Sequence, residues 1–255
     1  TGKVKKSLRF LKIAQTRNSN MHEVFNNLGA AHAEIGQNKQ AINYWEKALE
    51  HHPFMAEVHI NMGVVYERMG KKKKALAAYQ KALKEDPQNP LGHYNLGVIH
   101  AKNQDMAKAV ESWEKARKLD PKDDKTLASL GLAYEQLGEK DKALKKILKA
   151  IKLEPFNYQT HYAAGRIQSD QGDFEKATES LKKSVHLDPE FGDAYYRLGI
   201  VHDNLNEGSD AISDTLIAEI IFHKKKKMEL YNKMGVQLKS LFEKYELGRK
   251  DFKEL

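Results

Sequence analysis

The chain has no cysteine, only two tryptophans and only six prolines in its 255 residues. Without cysteine there is no disulfide framework and no thiolate nucleophile or metal ligand. No apolar run approaches the roughly 18 residues that a membrane-spanning helix needs. A phosphate loop, a nucleophile elbow and a Cys/His cluster with metal spacing are all missing. No catalytic residue, cofactor, metal or small-molecule substrate is therefore expected, and the chain reads as a non-enzyme. The lack of cysteine fits a reducing compartment and favours the cytoplasm, with export left open.

The scarce prolines are not scattered. Pro53, Pro87, Pro121, Pro155 and Pro189 stand 34 residues apart, and Gly29, Gly63, Gly97, Gly131, Gly165 and Gly199 keep the same interval. A fixed period of this size marks a solenoid built from one small stacked unit. With position 1 set at His22, Ala56, Pro90, Asp124, Tyr158 and Gly192, position 8 is always Gly and position 20 always Ala. Position 24 is large and apolar in Trp45, Tyr79, Trp113, Ile147 and Leu181, and is Thr215 in the last repeat. Apolar positions 4, 7, 8 and 11 give a first helix one buried stripe. Small residues at 8 and 20 let a second, antiparallel helix approach, and the bulky side chain at 24 fills the space beside them.

Helix ends are written in the same register. Gly36, Gly70, Gly138 and Gly172 at position 15 can take the left-handed conformation that ends the first helix. Asn206 suits that place, whereas Gln104 fits it poorly. The proline at position 32 stops the second helix. Asn89, Asp123 and Asn157 are expected N-caps, and Pro90 suits a first helical turn.

These residues resemble the tetratricopeptide repeat family over six units: 22–55, 56–89, 90–123, 124–157, 158–191 and 192–225. The resemblance implies an all-α fold, a right-handed α-α superhelical solenoid of helix-turn-helix units forming one elongated domain. Residues 1–21 read as the second helix of a truncated or capping repeat, since Ser7, Leu11 and Ala14 fall on positions 20, 24 and 27. With Thr1 in place of an initiator Met, the natural protein is expected to continue upstream. Residues 226–255 read as a capping helix over 228–246 and a charged, fraying tail from Gly248.

The family likeness implies a concave face lined by first helices and a back formed by second helices. The net charge is +8, yet acidic residues outnumber basic ones on the first helices, and the N-terminal 21 residues hold six basic residues and no acidic one. This distribution argues against nucleic acid in the groove and leaves only peripheral contact with a membrane or other anionic surface. Two lysine runs, 71–74 and 224–227, read as solvated turns, with a docking patch for phosphate, acidic protein or anionic lipid as the alternative. Histidines at positions 4 and 11 (His59, His93, His161, His32, His100, His202) read as packing rings.

The expected partner is a protein or peptide lying in the groove as an extended or helical segment, so the chain reads as an interaction scaffold or adaptor. Asn27, Asn61 and Asn95 share position 6, where a row of amides can pair with the backbone of an extended chain. The row resembles the asparagine ladder in the superhelix of O-linked N-acetylglucosamine transferases. The alternative reading is accordingly the recognition arm of a larger enzyme such as a glycosyltransferase. Tyr94, Tyr162 and Tyr196 at position 5, with Arg166 and Arg197, form a second candidate patch, because tyrosine and arginine are common interface anchors. A partner carboxylate is expected to meet these arginines unless Asp170, Asp193 or Asp203 pairs with them first. The carboxylate clamp of heat-shock co-chaperones is absent. Of its five positions, here Asn26, Ala30, Asn61, Leu91 and Asn95, only Asn61 matches. Self-association is left open.

Overall fold

The computed structural model describes residues 20–252, and the helix expected over residues 3–17 lies outside them. Among the described residues there are thirteen α-helices, one 3-10 turn and no strand. The chain divides into two compact units, one ending at Pro121 and one beginning at Lys122. The sequence reading had a single elongated domain. Each repeat closes its own core with its neighbours, so the core gathers in separate clusters along the chain.

The first unit contains α1 (Met21–Glu34), α2 (Asn38–His51), α3 (Ala56–Arg68), α4 (Lys72–Glu85), α5 (Pro90–Lys102) and α6 (Met106–Leu119). The second contains α7 (Asp124–Gln136), α8 (Lys140–Leu153), α9 (Tyr158–Asp170), α10 (Phe174–Leu187), α11 (Gly192–Asn204), α12 (Gly208–Lys224) and α13 (Met228–Tyr245). Odd and even helices pair as hairpins up to α12. Within each unit the odd-numbered helices also lie beside one another and share one face.

Each hairpin closes where the glycine at position 8 meets the side chain at position 24. A Cβ on Gly29, Gly63 or Gly97 would collide with the ring of Trp45, Tyr79 or Trp113. The same holds for Gly131 against Ile147 and Gly165 against Leu181. The indole Nε1 atoms lock the contact by donating to the position-5 carbonyls, Trp45 to Asn26 (3.2 Å) and Trp113 to Tyr94 (3.0 Å). The expected caps are present. The side chains of Asn89, Asp123 and Asn157 accept from Gly92, Thr126 and Gln159 backbone N–H groups, and Pro90 starts α5. The second helices α2, α4, α6, α8 and α10 all end two residues before the position-32 proline.

At position 15 the four glycines have φ between 72° and 83°, and Asn206 follows at 60°. Gln104, the residue that fits poorly, adopts the same conformation at φ 64°. The turn geometry is imposed by the hairpin core, and the local residue bears the strain. The described part of the tail, up to Phe252, departs from its expected fraying. Arg249–Phe252 form a 3-10 turn, Arg249 Nη2 donates to both carboxylate oxygens of Glu219 (2.8 and 2.7 Å), and Phe252 packs near Phe242. A nearly buried carboxylate supplies the anchor that composition alone did not reveal.

Candidate interaction faces

Position 6 falls on the shared face of the odd-numbered helices, because positions 4, 7, 8 and 11 are turned into the hairpin. In the first unit Asn27 on α1 is exposed, while Asn61 on α3 and Asn95 on α5 are half-buried. None of the three amides has a hydrogen-bond partner among the described residues, so each retains a free donor pair and a free acceptor. Beside Asn61 lies a recess of about 240 Å³. Ala30, Ala33, Val64 and Val65 make its apolar wall, and Glu34 and Arg68 also line it. Arg68 reaches across to the Ala33 carbonyl (3.4 Å). Tyr94 is half-buried, and its carbonyl is occupied by Trp113.

Farther along this face, the Tyr79 hydroxyl donates to Glu67 (2.7 Å), and Glu67 also pairs with Lys102 of the next repeat. Burial and the Glu67 carboxylate push the Tyr79 phenol well above its ordinary range.

The second unit uses its own odd-helix face differently. Arg166 pairs with Glu135 of the preceding repeat, and its guanidinium lies over the Tyr162 ring at 5.7 Å from the centroid. The Arg166 Nε atom is buried and has no hydrogen-bond partner. Tyr162 meets Phe191 edge-on, with centroids 5.0 Å apart, and burial raises its phenol pKa. The charges of Arg166, Asp193, Arg197 and Glu135 also bear on the Tyr162 phenol. Both arginines are already neutralised: Asp170 takes Arg197 (3.0 Å), and Glu135, which was not among the expected partners, takes Arg166. Tyr196 is covered by Lys233 of α13, whose ammonium sits 4.7 Å from the ring centroid.

The lysine runs are partly tied down as well. Lys72 donates to the Lys102 carbonyl (3.1 Å), Lys74 lies over Tyr66, Lys224 pairs with Glu190, and Lys225 donates to the Glu190 carbonyl (2.6 Å). Among the described residues no group of three or more His, Cys, Asp or Glu side chains is placed to hold a metal. No described helix is long and apolar enough to cross a membrane.

Profiles of the tetratricopeptide repeat match residues 22–50, 56–89, 90–123, 125–157 and 162–219. The chain belongs to the tetratricopeptide repeat family. No curated protein shows a sequence match to it. Among solved structures it is similar to MamA, at 27% identity and a TM-score of 0.62, over 65% of this chain and 97% of that one. It is also similar to YrrB, described as a TPR protein with an unusual peptide-binding site, at 23% identity and a TM-score of 0.61, over 72% of this chain and 95% of that one. PilF of Pseudomonas aeruginosa shares the fold at 18% identity with a TM-score of 0.74, covering 85% and 97% of the two chains.

Four of the position-4 and position-11 histidines are tied to neighbouring groups of this tetratricopeptide array, and two of them are buried. His93 and His161 Nε2 each lie 2.9 Å from the carbonyl of the position-32 proline before them, Pro87 and Pro155. His59 pairs with Glu85 (3.2 Å), and burial holds its imidazole pKa below the usual value. His202, 2% exposed, meets Asp214 through Nδ1 (2.7 Å). The acid partners Glu85, Glu135 and Asp214 were missed by the sequence reading. For Glu135 a signal was present, because an acid at position 12 (Glu67, Glu135) precedes a base at position 13 or 9 of the next repeat (Lys102, Arg166).

Proposed function

We infer that this chain, as a tetratricopeptide repeat protein, serves as a protein-interaction scaffold. We propose that its working surface is the odd-helix face of the first unit, which takes an extended segment of a partner protein. The observation that carries this reading is the pair of unpartnered, half-buried amides of Asn61 and Asn95 on neighbouring helices, with the apolar recess beside Asn61. An amide can donate to one peptide carbonyl and accept from one peptide N–H, so the pair grips backbone independently of side-chain sequence. The recess then admits one small or medium apolar side chain and supplies preference. Asn27 extends the row at its exposed end. Tyr162, Arg166 and Arg197 form a second contact region whose charge is internally balanced. Such a region favours a partner that stacks on Tyr162 or uses the spare guanidinium N–H groups over one that brings a bare carboxylate. This reading places no catalysis on the chain.

The test is a library of unstructured peptides displayed against the full chain, repeated with Asn61→Ala/Asn95→Ala. Each lost hydrogen bond is worth about 1 kcal/mol, so the double variant should bind the selected peptides at least roughly tenfold more weakly. Its melting temperature should not change. Selected peptides that bind both proteins equally would remove the amide pair from the site.

A further inference from the structure

The fourth repeat carries a basic and apolar helix ridge that repeats one and three lack at the same helical positions. α8 buries Ala143, Ile147 and Ala150 in the hairpin. Its opposite ridge exposes Lys145, Leu148, Lys149 and Lys152, and the loop beyond exposes Phe156. The spacing of three, four and seven residues puts the helical members on one stripe. Phe156 is 74% exposed and Leu148 47%. Leu153 flanks the stripe and is 41% exposed.

Phe54 of repeat one matches Phe156 in position and exposure (77%), but the helical ridge differs. Lys145, Leu148 and Lys152 stand at positions 22, 25 and 29. Repeat one has Asn43, Glu46 and Glu50 there, and repeat three has Glu111, Glu114 and Lys118. In repeat three, moreover, Glu111 neutralises Lys115 (2.8 Å) and Glu114 neutralises Arg117 (2.7 Å). Lys145, Lys149 and Lys152 have no ion pair among the described residues, while the nearby Lys142 is held by Glu139. Of the adjacent acids, Asp141 accepts a hydrogen bond from Gln171 (2.8 Å), which leaves Glu154 at the helix end.

We propose that this ridge docks the protein on an anionic lipid bilayer. Three uncompensated ammonium groups answer a negative surface potential, which attracts basic residues within about a Debye length of the surface. Between them, Leu148 and Phe156 stand outward where a yielding acyl layer can receive them. The lysine stems lie along that layer while their heads reach the phosphates. The cations of α8 are all lysine, with no arginine fork for bidentate grip on a carboxylate or nucleic-acid phosphate. That choice favours a diffuse anionic surface over an acidic protein segment. Because the buried stripe already holds α8 in place, docking orders no new helix. The inference is independent of what the odd-helix face binds.

The experiment is co-sedimentation of the full chain with two kinds of vesicle. One is pure phosphatidylcholine and the other contains about one-third phosphatidylglycerol, each at low and high salt. The chain should bind the anionic vesicles at low salt and ignore the neutral ones. Lys145→Glu/Lys149→Glu/Lys152→Glu should weaken that binding by roughly tenfold or more. Leu148→Ser/Phe156→Ser should weaken vesicle binding several-fold while leaving binding to heparin, a soluble polyanion, unchanged. The substituted residues are exposed, so melting curves should overlay the wild type. If charge reversal does lower the melting point, the three Lys→Gln changes replace it. The proposal is overturned if the chain ignores anionic vesicles or the lysine variant binds them like wild type. It is also overturned if the serine variant loses nothing, in which case the ridge is a site for acidic macromolecules.

Discussion

In the first unit Asn61 and Asn95 stand on adjacent helices with their amides unpartnered, and the second unit places Ala163 and Arg197 at the same repeat position. There Arg197 is held by Asp170, Arg166 by Glu135, and Tyr196 is covered by Lys233. Neutral amides can stay unsatisfied on a half-open face because water serves them until a ligand arrives. A half-buried guanidinium is different, since leaving it without a carboxylate costs more than leaving an amide wet. The second unit has therefore drawn its functional-looking side chains into its own stability. Residue type at an exposed repeat position does not identify a binding residue until its intramolecular partners are known.

Four pairs of changes would break or sharpen this contrast. The largest tests what the units share. Gly63→Val in the first unit and Gly165→Val in the second each force a side chain into the Tyr79 ring or Leu181. Both should cost roughly 3 kcal/mol in urea unfolding. Unequal losses would mean that the hairpin rule differs between the units.

Next comes the contrast itself. Arg166→Ala leaves Glu135 partly buried without its cation and should lower stability by about 1–2 kcal/mol. Asn61→Ala should stay within about 0.5 kcal/mol of wild type. A stability loss at Asn61 comparable to that at Arg166 would erase the distinction drawn here.

A smaller effect sits in the turns. Gln104→Gly should stabilise the first unit by about 0.5–1 kcal/mol, because it relieves a left-handed residue other than glycine. Asn206→Gly in the second unit should gain less, since asparagine tolerates that conformation. Thermal melts of the two variants give the order directly.

The smallest effect is in pH. Burial lowers the His59 and His100 pKa values, both in the first unit. As pH falls through about 6.5 the unfolded chain takes up protons that these folded imidazoles refuse, so they make stability fall with acid. Burial raises the pKa of Asp214 in the second unit despite its bond to His202. The folded carboxyl protonates at higher pH than the unfolded one, so its contribution to stability grows as acid is added. His59→Gln should flatten the decline between neutral and mildly acidic pH, and Asp214→Asn should remove the opposing gain at lower pH. Urea midpoints measured across that range report both slopes.

What the sequence made legible follows from which interactions are local. Position-8 glycines, position-24 rings, caps at Asn89, Asp123 and Asn157 and stops before each proline lie within one hairpin or one turn, and the 34-residue clock exposes them. Pairing between repeats was harder to see. Glu135 reaches Arg166 across 31 residues, and Arg249 reaches Glu219 across 30. Such contacts depend on which face each residue takes and on the length of its side chain. The lysine runs drew the eye in sequence, yet several of their members are bonded internally. The unpaired cations of α8 are spaced three and four apart, and no run announces them.

One pair of hydrogen bonds has a mechanical meaning. Lys72 donates to the Lys102 carbonyl and Lys140 to the Asp170 carbonyl (3.1 and 2.7 Å), so the start of a second helix clasps the end of the next repeat's first helix. Both lysines occupy position 17, where the other repeats carry Asn38, Met106, Phe174 and Gly208. The clasp also places a cation at the negative end of a helix dipole. Repeats two and three are thereby linked, and so are four and five. Under tension these two repeat junctions should resist separation slightly more than the unclasped ones, and Lys72→Met or Lys140→Met should remove that difference.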